Sequence, residues 1–218
     1  MSAIPVVMLP GSISDALRAE VVAQHMAPGS TVTESAVAAR FGVARPTAKL
    51  AIEQLVTEGV LRRSAHQAAR VPELDRGDIL DLYRTRGVIE SAAIAELAGG
   101  GVIPADALAA HRALLAESDG DFAADDIAFH RALVAASPAV RLARMHRSLM
   151  GEIELGIGQV QAHGLLTRRS VAEQHQGILD AVVAGDAALA SHLTFEHIAR
   201  SRDVLLEHYD ATHPEGRS

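Results

Sequence analysis

The sequence predicts a mainly α-helical protein: an N-terminal winged helix-turn-helix with a small β-wing, followed by an all-α antiparallel bundle of six helices. Three observations predict it. Hydrophobic residues make up 49% of the chain but aromatics only 3%, so its core is built from Ala, Leu, Val and Ile, as in close-packed helices. Apolar residues recur at helical spacing along most of the chain, and Gly and Pro punctuate them. The strand candidates are two short segments, 60–63 and 69–71, around the polar tip Ser64-Ala65-His66-Gln67.

Helix one is expected over 12–26, with Ser12 or Ser14 as its cap and Ile13, Leu17 and Val21 as its inward stripe. Pro28-Gly29 turns the chain. Thr33 is a good cap for a second helix, 34–41, with Glu34 at its positive end and Gly42 supplying the C-terminal turn. A third helix over 44–58 faces Ala48, Ala51, Ile52 and Leu55 inward and stops at Gly59. Later helices are expected at 77–98, 104–118, 121–136, 138–163, 167–184 and 186–209, separated by breaks such as Gly99-Gly100-Gly101, Asp119-Gly120 and Ser137-Pro138. The domain reading is 1–72, a linker at 73–77, and 78–218.

Composition removes several classes. The chain has no cysteine, so disulfides and thiolate metal sites are excluded. No apolar run reaches the roughly 18 residues of a membrane span, and Met1–Leu9 is too short and unflanked for a secretory signal. A cytoplasmic protein with no membrane partner is expected. The net charge of −7 is unevenly spread: residues 1–72 carry seven Lys/Arg against five Asp/Glu, and the remainder 13 against 22. A mildly basic N-terminal part precedes an acidic body, which leaves room for a polyanionic partner.

The most informative chemistry lies in the second half. Asp126 and His130 stand four apart in a helical run, which puts a carboxylate and an imidazole on one face of one helix. Phe129 and Leu133 beside them suggest that this face looks inward. His175 and His197 follow on two later helices and could complete a divalent-metal site inside the bundle. Three imidazoles and one carboxylate suit zinc first, with nickel, iron or manganese as alternatives. The competing reading is a set of hydrogen-bonded or surface histidines among the eleven in the chain. Arg86 falls on or beside the stripe Ile79, Leu82, Ile89, Ala93 and Leu97, where it could clamp a carboxylate or form an internal ion pair.

The run Pro28-Gly29 … Phe41-Gly42-Val43-Ala44-Arg45-Pro46-Thr47-Ala48-Lys49-Leu50-Ala51-Ile52 … Glu58-Gly59-Val60-Leu61 resembles the N-terminal domain of GntR-family transcription regulators. The resemblance implies a winged helix that binds a double-stranded DNA operator as a homodimer, the helix after Gly42-Val43 entering the major groove N-terminus first. Arg45 and Lys49 then share one face near that end, Arg45 able to fork onto a guanine edge and Lys49 better suited to a phosphate or a single base contact. Thr47, Arg40 and the wing residue His66 are further contact candidates. Where the family usually has Ser before the Arg and a second Arg at position 49, this chain has Ala44 and Lys49.

Three later stretches resemble the helical effector domain of the FadR branch, called FCD. They are Arg86-Gly87-Val88-Ile89-Glu90, Asp126-Ile127-Ala128-Phe129-His130, and Glu173-Gln174-His175-Gln176-Gly177 with His197 beyond. Many such domains hold a divalent metal with one Asp and three His, which by position are Asp126, His130, His175 and His197. Six helices match the shorter VanR-like variant. The resemblance implies a metabolite-responsive regulator, in the commoner logic a repressor released by a small organic acid held at the metal and Arg86. Two other classes stand beside it: a metal-dependent hydrolase or oxygenase using the same four ligands, and a scaffold with a purely structural metal. No separate base beside the metal set marks an enzyme, and an enzyme has no need of the 12–72 module.

Overall fold

The computed structural model describes residues 9–116 and 122–214. The chain divides into two compact units between Glu73 and Leu74. The expected break at Asp119-Gly120, and the expected helix ends at 117, 118 and 121, lie outside the described residues.

In the first unit, α1 spans Pro10–Val22, α2 Glu34–Phe41 and α3 Arg45–Thr57. The stripe Ile13, Leu17 and Val21 of α1 is buried, as are Ala48, Ala51, Ile52 and Leu55 of α3. Neither Ser12 nor Ser14 caps α1: the helix starts earlier, with Pro10 in its first turn and Leu9 at the cap. Proline suits that position because its fixed φ is helical and it has no N–H to leave unpaired. The Ser14 hydroxyl instead donates inside the unit, to Gly11 O at 2.8 Å and Gln54 Oε1 at 3.0 Å. The α2 turn follows the sequence: Thr33 Oγ1 accepts from Ala36 N at 3.2 Å, and Gly42 closes the helix with φ +64°. That left-handed conformation is the one glycine adopts without steric cost.

The wing differs from expectation. Strand β1, Thr31–Val32, pairs antiparallel with β2, Ala69–Arg70, while the segment 60–63 contributes a single bridge, Arg62 to Arg70. Val60 and Leu61 are buried, and Leu61 N donates back to Leu55 O. Their side chains go to the core rather than to a longer ladder.

The second unit is helical: α4 Arg76–Ala98, α5 Ala105–Ala116, α6 Ala123–Ala136, α7 Val140–Ala162, α8 Arg168–Val183 and α9 Ala187–Thr212. Asp75 and Asp78 form a reciprocal capping box at the start of α4, so the helix begins at Arg76, one residue before the expected 77 and inside the expected linker. Thr167 and Asp186 cap α8 and α9 through Ser170 N and Leu189 N. Ile94, Leu97, Phe129, Leu133, Ile178, Leu179 and Val182 share one buried cluster across α4, α6 and α8. Helix α4 packs most extensively on α9. Gly87 permits that approach, since a Cβ there would lie 3.2 Å from the Phe195 ring. Among the described residues, no helix is long and apolar enough to cross a membrane.

Candidate functional site

Helix α6 supplies Asp126 and His130, α8 supplies His175 and α9 supplies His197. All four are buried, and one donor atom from each lies within 4.8 Å of the others. Asp126 Oδ1 is 3.0 Å from His175 Nε2, 3.5 Å from His130 Nε2 and 4.0 Å from His197 Nε2. His130 Nε2 and His197 Nε2 are 3.0 Å apart. Donors bound to one ion at ~2.0–2.2 Å lie ~3 Å apart at a right angle and ~4 Å apart across it, so the spacing fits a shared metal. Asp126 Oδ1 and His175 Nε2 also make no aligned hydrogen bond. A buried carboxylate oxygen and imidazole nitrogen left so are costly unless something binds them.

The surroundings hold residues whose roles the sequence did not reveal. Glu90 of α4 is fully buried against the site. Its Oε1 accepts from Arg86 Nε at 2.8 Å and lies 3.0 Å from His146 Nε2. Its Oε2 stands 2.6 Å from His130 Nδ1, at ion-pair distance though off the N–H direction. Arg86 is buried, engaged by Glu90 through Nε, with Nη2 lacking a partner. The internal ion pair weighed for Arg86 is therefore present, and one further donor remains. The i,i+4 spacing of Arg86 and Glu90 on the apolar stripe was the readable signal for that pair. Gln174 Oε1 lies 2.9 Å from His197 Nδ1. His175 stacks on Phe129, ring centroids 3.7 Å apart.

In the first unit Arg45 opens α3 and is exposed, with Ala44 at the cap position offering no side-chain hydrogen bond. Arg45, Thr33, Ser35, Arg63 and Gln67 line one surface groove between the start of α3 and the wing. Lys49 is exposed one turn on, 3.6 Å from Glu53 Oε1. Thr47 is half-buried, and its N–H donates to Ala44 O at 3.0 Å. His66 is exposed at the wing tip with φ +61°. Arg40 is tied to Glu20 by a two-point ion pair, so of the five candidates it has the most occupied guanidinium or amine.

Residues 10–71 match the gntR family of bacterial regulatory proteins, and residues 81–200 match the FCD domain. The chain belongs to the GntR family. It is a transcriptional regulator of the GntR type with an FCD domain, and these matches point away from an enzyme. It is 28% identical over 192 residues to a protein of Paenarthrobacter nicotinovorans named as a probable D-xylose utilization operon transcriptional repressor, covering 86% of this chain and 84% of that one. It is 32% identical over 73 residues to the Nta operon transcriptional regulator of Aminobacter aminovorans, which spans 34% of this chain and 35% of that protein. Its fold is that of E. coli McbR/YncC, with TM-score 0.73 at 22% identity over 94% of this chain and all of that one. A GntR transcriptional regulator of Rhodococcus sp. RHA1 gives TM-score 0.71 at 22% identity, covering 90% of this chain and 97% of that one.

Electrostatics in this GntR-family regulator favour neutral His175 and His197 facing the Asp126 carboxylate, and push His130 toward its charged form. Burial pushes His175 down from 6.5 to about 4. Burial also drives His197 well below its ordinary value, with the neighbouring His175 and His130 adding to it. Burial alone would raise the Asp126 carboxyl, but His130 and His175 outweigh it and hold Asp126 well below its usual range. Burial opposes charge on His130 too, yet Glu90 prevails and raises it. A pH dependence follows. Below about 6.5 an unfolded imidazole takes up a proton that buried His175 and His197 refuse, so stability rises with pH there. The metal-free protein is expected to lose thermal stability as pH falls from about 6.5 toward 4; the raised His130 acts above about 6.5 and adds little change in this window. Thermal midpoints measured at several pH values across this window check it, and a flat or rising midpoint on acidification contradicts it.

Proposed function

We propose that this regulator senses a small mono- or dicarboxylate at a divalent metal in its helical unit and passes the signal to an operator-binding winged helix. The observation that carries the reading is the convergence of Asp126, His130, His175 and His197, four buried donors from three helices. Such a set suits zinc, and also nickel, iron or manganese, with open positions for a ligand. Bound there, the ion supplies a Lewis-acid anchor for a carboxylate. The unpartnered Arg86 Nη2 is the second anchor, offering a charged donor that Glu90 leaves unused.

In this reading residues 1–72 bind double-stranded DNA through Arg45, Lys49, Thr47 and His66, and residues 78–218 bind the acid and form a homodimer. The short segment 73–75 ahead of α4 is where a shift in the helical unit reorients the winged helices. The protein acts in the cytoplasm, as a repressor released by the acid. A ligand regulates only if it favours one arrangement over another. A coupling of about 1–3 kcal/mol changes DNA affinity roughly 5- to 150-fold.

The test is calorimetric titration of an organic-acid panel into wild type and Arg86→Lys, with parallel DNA-binding curves. Lysine keeps a charge for Glu90, avoiding a buried carboxylate without its partner, but lacks the forked donors. A responsive acid should bind the variant about 10-fold more weakly or worse, with ligand-free DNA binding near wild type. Equal binding of that acid removes Arg86 from the site. If chelation leaves acid binding intact, the metal is structural.

A further inference from the structure

We propose that Glu90 and Gln174 are positioning residues for the metal centre, each gripping the Nδ1 edge of one imidazole so that its Nε2 faces the shared point. The inference rests on the metal reading above and adds what holds the ligands in place.

Gln174 carries the firmer half. Its Nε2 donates to Ser170 O at 2.9 Å and lies 3.0 Å from Ser170 Oγ. A carbonyl only accepts, so the amide nitrogen must face Ser170 and the amide oxygen must face His197. That oxygen is 2.9 Å from His197 Nδ1, which therefore carries the proton. Neutral His197 then presents a lone pair at Nε2. Glu90 approaches the Nδ1 edge of His130 as a close ion-pair contact rather than an aligned hydrogen bond. Its Oε1 is committed to Arg86 and His146, and its Oε2 stands at His130 Nδ1, 2.6 Å away. A carboxylate held ionised by Arg86 can only accept there.

The two gripped rings place Nε2 atoms 3.0 Å apart. Both nitrogens address one point between them, which a single proton can bridge in the metal-free chain and a cation would take over when bound. The grips thus aim both Nε2 atoms at one point, where a cation would replace that bridging proton. His175 is held differently, by stacking on Phe129, and makes no aligned hydrogen bond at either nitrogen. Three rings are fixed by three means, and only two depend on polar partners that substitution can remove. Losing such outer partners typically weakens metal binding about 10- to 100-fold.

The full-length protein is titrated with zinc against a competing chelator, as wild type, Gln174→Leu and Glu90→Gln. Each variant should bind zinc about 10- to 100-fold more weakly. Gln174 is half-buried, so Gln174→Leu should keep the metal-free thermal midpoint near that of wild type. Imidazole nitrogen-15 spectra of zinc-loaded wild type give a readout that a merely structural role does not move, and they need no variant to fold. They should show His130 and His197 protonated at Nδ1. A proton on Nε2 of His197, or unchanged zinc affinity in Gln174→Leu, overturns the assignment of Gln174. A proton on Nε2 of His130 overturns that of Glu90, even if Glu90→Gln does not fold. If wild type itself binds no zinc or nickel, the metal reading fails and this inference with it. If wild type binds zinc and the grips make no difference, this inference alone fails.

Discussion

His175→Ala is expected to abolish the rise in thermal midpoint that zinc gives the wild-type protein. The proposed ion ties α6, α8 and α9 together through four buried donors, so it binds the folded chain and not the unfolded one. At free zinc about 100-fold above its dissociation constant, such binding adds about 2.7 kcal/mol. For a domain of this size that is a rise of roughly 5–11 °C. His175 sits against Asp126 Oδ1 at 3.0 Å, so its loss removes one ligand and leaves the acidic donor half-committed. The same substitution also deletes a ring stacked on Phe129, which lowers the midpoint of the metal-free protein. The decisive quantity is therefore the zinc-dependent shift within each protein, not the difference between their midpoints. Elemental analysis should find about one divalent metal per wild-type chain and much less in the variant. An equal zinc-dependent shift in both proteins, or no metal in wild type after incubation with zinc or nickel at neutral pH, ends the metal reading.

The parts of the molecule legible in the sequence are those written by local spacing. Asp126 and His130 four apart, with Phe129 and Leu133 beside them, placed two donors on a buried face, and the structure buries all four residues. Thr33 and Gly42 bracket α2 as their side-chain chemistry dictates. What stayed hidden depends on partners far along the chain. Thr31 and Val32 form a strand only because Arg70 and Ala69 lie opposite, and two residues carry no alternation to read. The 60–63 segment looks like a strand because Val60 and Leu61 open it beside a polar tip, yet those two side chains are buried in the core. Ser12 and Ser14 look like caps, but Pro10 starts the helix sooner.

The candidate site divides the same way. Its four metal-ligand candidates were readable, because helical period pairs Asp126 with His130 and the family spacing adds His175 and His197. The i,i+4 pairing of Glu90 with Arg86 was readable, but its place at the site was not, since its contacts His130 and His146 come from α6 and α7. Gln174 is one residue before His175 yet serves His197, 23 positions later. His146 and His111 illustrate the alternative weighed for surplus histidines. Both are buried and polar-bonded, to Glu90 and to Gln176 Oε1 at 3.0 Å, and neither belongs to the four-donor set.

Arg45→Ala is expected to weaken operator binding by about 1–3 kcal/mol and to relax one base position in each half-site. Arg45 stands at the first position of α3, exposed, where a helix entering the major groove N-terminus first presents its side chains to base edges. Ala44 before it makes no capping bond, so the turn depends on Pro46 and the backbone bonds from Thr47 and Ala48 to Ala44 O. Those are untouched by shortening Arg45, so the loss reports the DNA contact and not a broken helix. Lys49 is expected to behave differently. Its contact with Glu53 is an exposed pair at 3.6 Å, which offers little to hold it from a phosphate. Lys49→Ala should weaken binding about equally across operator sequences and lower the salt slope by about one. Fluorescence anisotropy with the natural upstream region and single-base variants, at several salt concentrations, separates the two behaviours. Binding by Arg45→Ala as tight and as selective as wild type would remove α3 from the major groove, whatever the helical unit senses.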